Sequence, residues 1–269
     1  MAVVPFPDPH GQPDRNRWSE SDDLESGAKM SFLEHLDEFR KRLINSLIAV
    51  AVGIGISFFF IDRIYGFIMR PLQRMLPPGG HLIYTEPTEA FVLYLKIALL
   101  AGIVIAAPAI MLQVWLFTAP ALYANEKKFA IPFIVLTTVG FIGGAAFSHY
   151  VVFRAMWAYL ASFSNDYMTF MPKIESVFAL YVKMMLAMGL VFQMPTLVFF
   201  LARMGVLTAR FMIKNFKYAI LINFVVAAVI TPSGDPLNQA LIAGPMCGLY
   251  LISIVIAWMV GKRRALAAA

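Results

Sequence analysis

The sequence holds one cysteine, Cys247, and four histidines, and its six longest apolar runs contain no aspartate, glutamate, lysine or arginine. A lone cysteine excludes an intrachain disulfide framework, and in an apolar run it reads as a small packing residue. His10, His35, His81 and His149 are too scattered for any recognisable metal-ligand spacing, so no metal and no other cofactor is expected. No catalytic triad and no phosphate-binding loop is written in the chain. Charged residues make up only 14% of it, where a soluble domain carries about 25%. An internal repeat is missing too, which argues against the inverted-repeat plan of many transporters. There is no early apolar core of the kind a secretory signal needs.

What remains is hydrophobic: 60% of 269 residues, with a mean hydropathy of +0.72. The uncharged runs are Leu43–Ile61, Ile97–Phe117, Phe129–Phe153, Met184–Ala202, Tyr218–Ile230 and Ala240–Val260. A helix needs about 20 apolar residues to cross a bilayer, so these predict an all-α membrane protein with six crossings and membrane lipid as its solvent. The fifth run has 13 residues before Thr231-Pro232-Ser233-Gly234-Asp235-Pro236 ends it, and must thin the bilayer or pack behind longer neighbours. Gly244-Pro245 predicts that the sixth is curtailed as well. Residues 1–29 are proline-rich and acidic, and read as a disordered tail before a membrane domain over 30–264 and a short tail over 265–269. The first crossing follows Arg40-Lys41-Arg42 and reads as an uncleaved anchor, with Met30 an alternative start.

Six crossings put both termini on one side. Lys29, Arg40, Lys41, Arg42, Lys127, Lys128, Arg203, Arg210, Lys214, Lys217, Lys262, Arg263 and Arg264 make thirteen basic residues there. Arg63, Arg70, Arg74, Lys96, Arg154, Lys173 and Lys183 make seven on the other side. The bias places the termini in the cytoplasm. The net charge of +6 therefore serves topology, and nucleic-acid binding is not expected. On the far side an amphipathic helix carrying Arg63, Arg70 and Arg74 is expected to lie in the interface up to Pro77-Pro78. A second interfacial helix is expected around Trp157, Tyr159 and Phe163, the two forming a lid over the bundle.

Two polar stretches face the terminal side, His35-Leu36-Asp37-Glu38-Phe39-Arg40-Lys41-Arg42 and Ala119–Lys128. Each sets a glutamate among basic residues, and two carboxylates there can receive a cationic ligand. Ser31-Phe32-Leu33-Glu34 is a capping box that starts the first helix at Phe32. Glu38 then either pairs with Arg42 at i,i+4, for a few tenths of a kcal/mol, or faces a ligand. Glu126 follows Asn125, a good N-cap, and either complements the helix dipole or binds. In the fourth run, Gln193 reads as an interhelical hydrogen-bond contact and Pro195 as a kink. Gly140 and Gly144 offer a packing face on the third helix. Gln239, beyond Asp235, is a cap or a polar contact at the mouth of the sixth.

These residues together resemble the TatC family, the multispanning receptor subunits of the twin-arginine protein translocase. The resemblance runs from about Phe32 to Arg264. It rests on His35-Leu36-x-Glu38-x-Arg40-x-Arg42-Leu43, on Pro71, and on Ala107-Pro108 with Gln113-Val114-Trp115-x-Phe117-x-Ala119-Pro120-Ala121-Leu122-Tyr123-x-x-Glu126. Phe192-x-x-Pro195, Thr231-Pro232 with Asp235 and Gln239, and Pro245-Met246 complete it. It implies a cup-shaped bundle, short fifth and sixth helices, and no catalysis. It implies signal-peptide contacts at Glu38 and Glu126 with Arg40 and His35 in the same patch, and partner or structural roles for Gln193, Asp235, Gln239 and Pro71. The implied partners are twin-arginine signal peptides of folded precursors and the single-helix subunits TatA and TatB. The implied assembly is a homo-oligomer within a hetero-complex of the bacterial inner membrane, driven by the proton-motive force. One departure is Gln193, where the family commonly has a glutamate. An amide cannot carry a proton, which puts a proton-coupled role there in doubt. The competing classes are a secondary transporter of a small solute, which needs ionisable groups near mid-membrane where the runs lack Asp, Glu, Lys and Arg, and an intramembrane enzyme, which needs a nucleophile with a base or a paired carboxylate at depth, neither of which is visible.

Overall fold

The computed structural model describes residues 32–76, 81–118, 130–165, 170–231 and 235–268. Among these, ten α-helices follow one another: α1 Phe32–Phe59, α2 Ile61–Arg74, α3 Glu89–Thr118, α4 Ala130–Phe147, α5 Phe153–Ala161, α6 Ile174–Val191, α7 Met194–Met204, α8 Ala209–Lys214, α9 Phe216–Ile230 and α10 Pro236–Ala268. A π turn, Ser148–Val152, joins α4 to α5. Five helical rods are long and apolar enough to cross a membrane, and α9 supplies the shorter sixth crossing. Each of the six uncharged runs coincides with one of these crossings over most of its length, the first passing into α2 at Ile61 and the third beginning at Phe129, outside the described residues. The expected tails, 1–29 and the last residue of 265–269, lie outside the described residues, as does the Ser31 of the capping box; α1 does begin at Phe32.

Three helix ends are set by their residues. The fourth crossing, one rod over Ile174–Met204, turns locally at Phe192 and Gln193 between α6 and α7, where Pro195 in the first turn of α7 supplies no N–H. Helix α7 stops at Gly205, whose φ of 82° is open to a residue without Cβ, and its N–H bonds back to the Ala202 carbonyl at 3.1 Å. Thr208 caps α8 by accepting from the Phe211 N–H at 3.3 Å.

Helix α9, at 15 residues, spans roughly 22 Å, short of a hydrocarbon core of about 30 Å. The sixth crossing corrects the reading from sequence. Helix α10 runs 33 residues straight through Pro245, because one missing N–H inside a membrane removes a single bond while breaking the helix would strand many more. The third crossing also differs: what was expected as a separate interfacial helix is its continuation. Through the π turn it runs to Ala161 and buries Trp157 beside Phe153 and Phe170, ring centroids 5.9 and 5.2 Å apart.

Small residues set the closest helix contacts. Helix α1 packs chiefly on α3 where Gly53 meets Gly102; a Cβ on Gly53 would stand 2.5 Å from the Gly102 carbonyl oxygen. Ser57, one turn on, turns its hydroxyl inward to the Gly53 carbonyl at 2.8 Å, so that face stays narrow. Helices α4 and α6 meet in the same way at Gly144 and Gly189, the packing face expected from Gly140 and Gly144.

The larger core lies toward the far side, where α2 serves as the lid. Ile68, Met69 and Leu72 of α2 are buried with Leu93 and Ile97 of α3, Met156 and Trp157 of α5, and Phe178 and Tyr181 of α6. The link before α3 is pinned to the start of α6 by a bridge between Ile83 and Lys173, with Ile174 N–H to Ile83 O at 2.9 Å. Beside it, Glu89 accepts from the Thr85 and Glu86 N–H groups and pairs with Lys173 at 3.1 Å. That hydrogen bond raises the Lys173 pKa above its ordinary value. In the third crossing His149 is buried, bonded to the Tyr181 hydroxyl at 3.0 Å and stacked on Phe67 of the lid. A second core, on the terminal side, joins Val198 and Ala202 of α7, Met212 of α8, and Tyr250 and Ala257 of α10.

Candidate functional site

On the terminal side the first polar stretch forms the opening turns of α1. Residues three and four apart share a helix face, so His35, Glu38, Phe39 and Arg42 line up. Phe117, at the end of α3, sits between His35 and Phe39: it stacks on the imidazole with centroids 4.6 Å apart and meets Phe39 edge-on at 5.5 Å. Two turns of α1 are thereby clamped to the end of α3. Trp115, one half-turn earlier, faces the other way and packs on Phe133 of α4, which in turn packs on Phe200 of α7, both at 4.9 Å. The motif Trp115-x-Phe117 thus holds α1, α4 and α7 around the end of one helix.

Glu38 is paired with Arg42 at 3.1 Å, the i,i+4 bridge expected of a structural role. Both side chains are partly exposed, 17% and 23%, which keeps the pair within reach of a ligand in water. Arg42 Nε is buried without a hydrogen-bond partner among the described residues. Arg40 is exposed on the neighbouring stripe. Glu126 lies outside the described residues. It stands eight residues after Thr118, where α3 ends, and four before Ala130, where α4 begins. Among the described residues, the structure brings His35 and Phe39 onto Phe117, one residue before α3 ends at Thr118.

The remaining four positions serve internal contacts or a different surface. Gln193 is buried in the local turn of the fourth crossing, and its Nε2 donates to the carbonyls of Thr137 on α4 and Gly189 on α6, both at 3.1 Å. Gln193→Leu removes both bonds and should lower stability by about 0.6 to 2 kcal/mol in detergent unfolding. A variant as stable as the parent would show that these bonds contribute nothing. Asp235 caps α10, accepting from the N–H groups of Leu237 at 3.4 Å and Asn238 at 3.2 Å, and Tyr159 of α5 hydrogen-bonds to it. Gln239 donates to the Phe224 carbonyl of α9 at 2.7 Å, a cross-tie between the fifth and sixth crossings. Pro71 lies inside α2 on the far side. Sequence reasoning missed Asn223, whose amide is buried in α9 and donates to Cys247 Sγ at 3.5 Å, and the buried His149. The one signal for both was a polar residue inside an uncharged run.

Comparisons with known proteins agree with this arrangement. The family model for TatC, the Sec-independent protein translocase protein, matches residues 34–245. A Sec-independent protein translocase protein TatC of Koribacter versatilis is 41% identical over 234 residues, 86% of this chain and 86% of its own length. A namesake from Helicobacter pylori is 40% identical over 226 residues, 84% of this chain and 88% of its own. A crystal structure of the twin arginine translocase receptor TatC is similar with a TM-score of 0.75 at 34% identity, covering 84% of this chain and 99% of that one. The six-helix cup is the architecture shared with that structure. This chain belongs to the TatC family of multi-pass membrane proteins, components of the Sec-independent protein translocase.

Proposed function

We propose that this protein is the receptor subunit that captures twin-arginine signal peptides of folded precursors on the face built by His35, Glu38, Arg40 and Glu126. The observation that carries the reading is the clamp of His35 and Phe39 on Phe117, which ties the turns of α1 that carry Glu38 to the end of α3. Arginine offers a planar fork of donors that two carboxylates can grip through charge-assisted bonds. The name of the solved relative, a twin arginine translocase receptor, supports the same assignment. Family membership leaves the small-solute transporter without support. The subunit works without catalysis, docks TatA and TatB around its fifth and sixth crossings, several copies to a complex, and draws on the proton-motive force.

The basic-residue bias supports an inner-membrane orientation with both termini in the cytoplasm. The test is equilibrium binding of a labelled twin-arginine peptide to the purified chain, against a peptide with both arginines replaced by lysine. Lysine keeps the charge and loses the fork, so the lysine peptide should bind more weakly; equal affinity would remove the clamp. Labelling of a Ser164→Cys variant in a Cys247→Ala background by an impermeant thiol reagent, from outside intact cells, checks the orientation, and failure to label would reverse it.

A further inference from the structure

We propose that the far-side cleft between α2 and the third crossing holds the phosphate headgroup of an anionic phospholipid in the leaflet opposite the termini. The cleft is about 490 Å³ in volume, and Arg63, Arg70, Arg74 and Arg154 all line it. Three of these arginines come from α2; the fourth comes from α5, just past the π turn. The ion pairs of the described residues involve none of the four. Arg154 stacks its guanidinium over Tyr150, 5.4 Å from the ring centroid, and its Nε is buried without a hydrogen-bond partner among the described residues. Arg70 lies back over Gly66, where a Cβ would come within 3.6 Å of its Nε. Four guanidinium groups lining one cleft, with no carboxylate among its lining residues, repel one another unless an anion joins them, and a phosphate matches the bidentate geometry of an arginine.

The surroundings identify the anion as a lipid's. The cleft's other walls are Phe67, Pro71, Met75, His149 and Tyr150; Phe67 and Tyr150 are about half exposed, and Tyr150 belongs to the π turn inside a membrane-crossing rod. Val151 beside it is equally exposed. A headgroup in the cleft therefore has a continuous apolar surface for its acyl chains, which a free phosphate would not use. An amphipathic helix with its arginines on one stripe lies at the depth where lipid phosphates lie. This site is on the opposite side from the signal-binding face and does not depend on that reading.

The experiment is native mass spectrometry of the full chain in detergent, titrated with dioleoylphosphatidylglycerol, with dioleoylphosphatidylcholine, with inorganic phosphate and with a polyglutamate peptide. Each arginine near a charged headgroup contributes enough that losing two should weaken phosphatidylglycerol binding about thirtyfold. The expected result is that Arg70→Gln/Arg154→Gln shows this loss, while phosphatidylcholine binds parent and variant alike. Arg63→Gln/Arg74→Gln, at exposed positions, should show a comparable loss and serves if the first pair fails to fold. Unchanged phosphatidylglycerol binding in a folded variant overturns the proposal. Displacement of the lipid by millimolar inorganic phosphate would reassign the cleft to a free anion. Stronger binding of a polyglutamate peptide than of the lipid would reassign it to an acidic protein segment.

Discussion

Glu126→Gln weakens binding of a twin-arginine peptide by about 1.5 to 3 kcal/mol for each charge-assisted bond lost, while the protein folds as before. A glutamine oxygen still accepts a hydrogen bond, so a capping role at Glu126 tolerates the change and an ionic grip does not. Glu38→Gln should act in the same direction and less strongly. Its carboxylate already accepts from Arg42 at 3.1 Å, so less of its charge is open to an incoming guanidinium and less is lost with it. The measurement is equilibrium binding of the labelled peptide to purified protein in detergent, with helix content followed in parallel. Undiminished affinity in both variants would make the two glutamates structural.

Gly53→Ala should destabilise the bundle by about 1 to 3 kcal/mol, although it adds a single methyl group. The new Cβ would meet the Gly102 carbonyl oxygen at 2.5 Å and its carbon at 3.1 Å. Those are backbone atoms of a 30-residue helix, which cannot turn aside as a side chain can. Because α1 packs chiefly on α3, the strain falls on the contact that positions His35 and Glu38. Gly55→Ala is the control. Nothing lies within 4 Å of its Cβ position, so alanine there should be neutral or stabilising by up to about 1 kcal/mol from helix propensity. Thermal unfolding of the three proteins in one detergent decides the matter, and similar stability of the two variants would mean that α1 is free to slide on α3.

How much of this was legible in the sequence depended on whether the signal was local. The absence of charge over nineteen or more residues marks a crossing by itself, and Thr231-Pro232 fixed the end of α9 for the same reason. The local turn ahead of Pro195 was readable from one missing N–H. Gly53 and Gly102, by contrast, mean nothing until the two helices are paired, and neither glycine announces its partner. The π turn at Ser148–Val152 has no residue signature of its own, so nothing local shows that the third crossing continues past Arg154 and carries Trp157 into the core. Pro245 misled in the other direction, since a rule learned from helices in water overstates what proline does where no water competes for the backbone. At the candidate site, the i,i+4 spacing of Glu38 and Arg42 was readable. The seating of Phe117 between His35 and Phe39 was not, because it joins residues some eighty positions apart.

The Glu38–Arg42 bridge gives the proposed receptor face an occupant before any cargo arrives. Capture is then an exchange, in which an arriving arginine trades places with a resident one. The net driving force is the difference between two similar contacts, and the departing guanidinium is always at hand to reverse the step. On the proposed reading, such a site would discriminate through the second arginine and Glu126, since the first contact alone gains little. It also lets go readily, which suits a subunit that must pass its cargo onward.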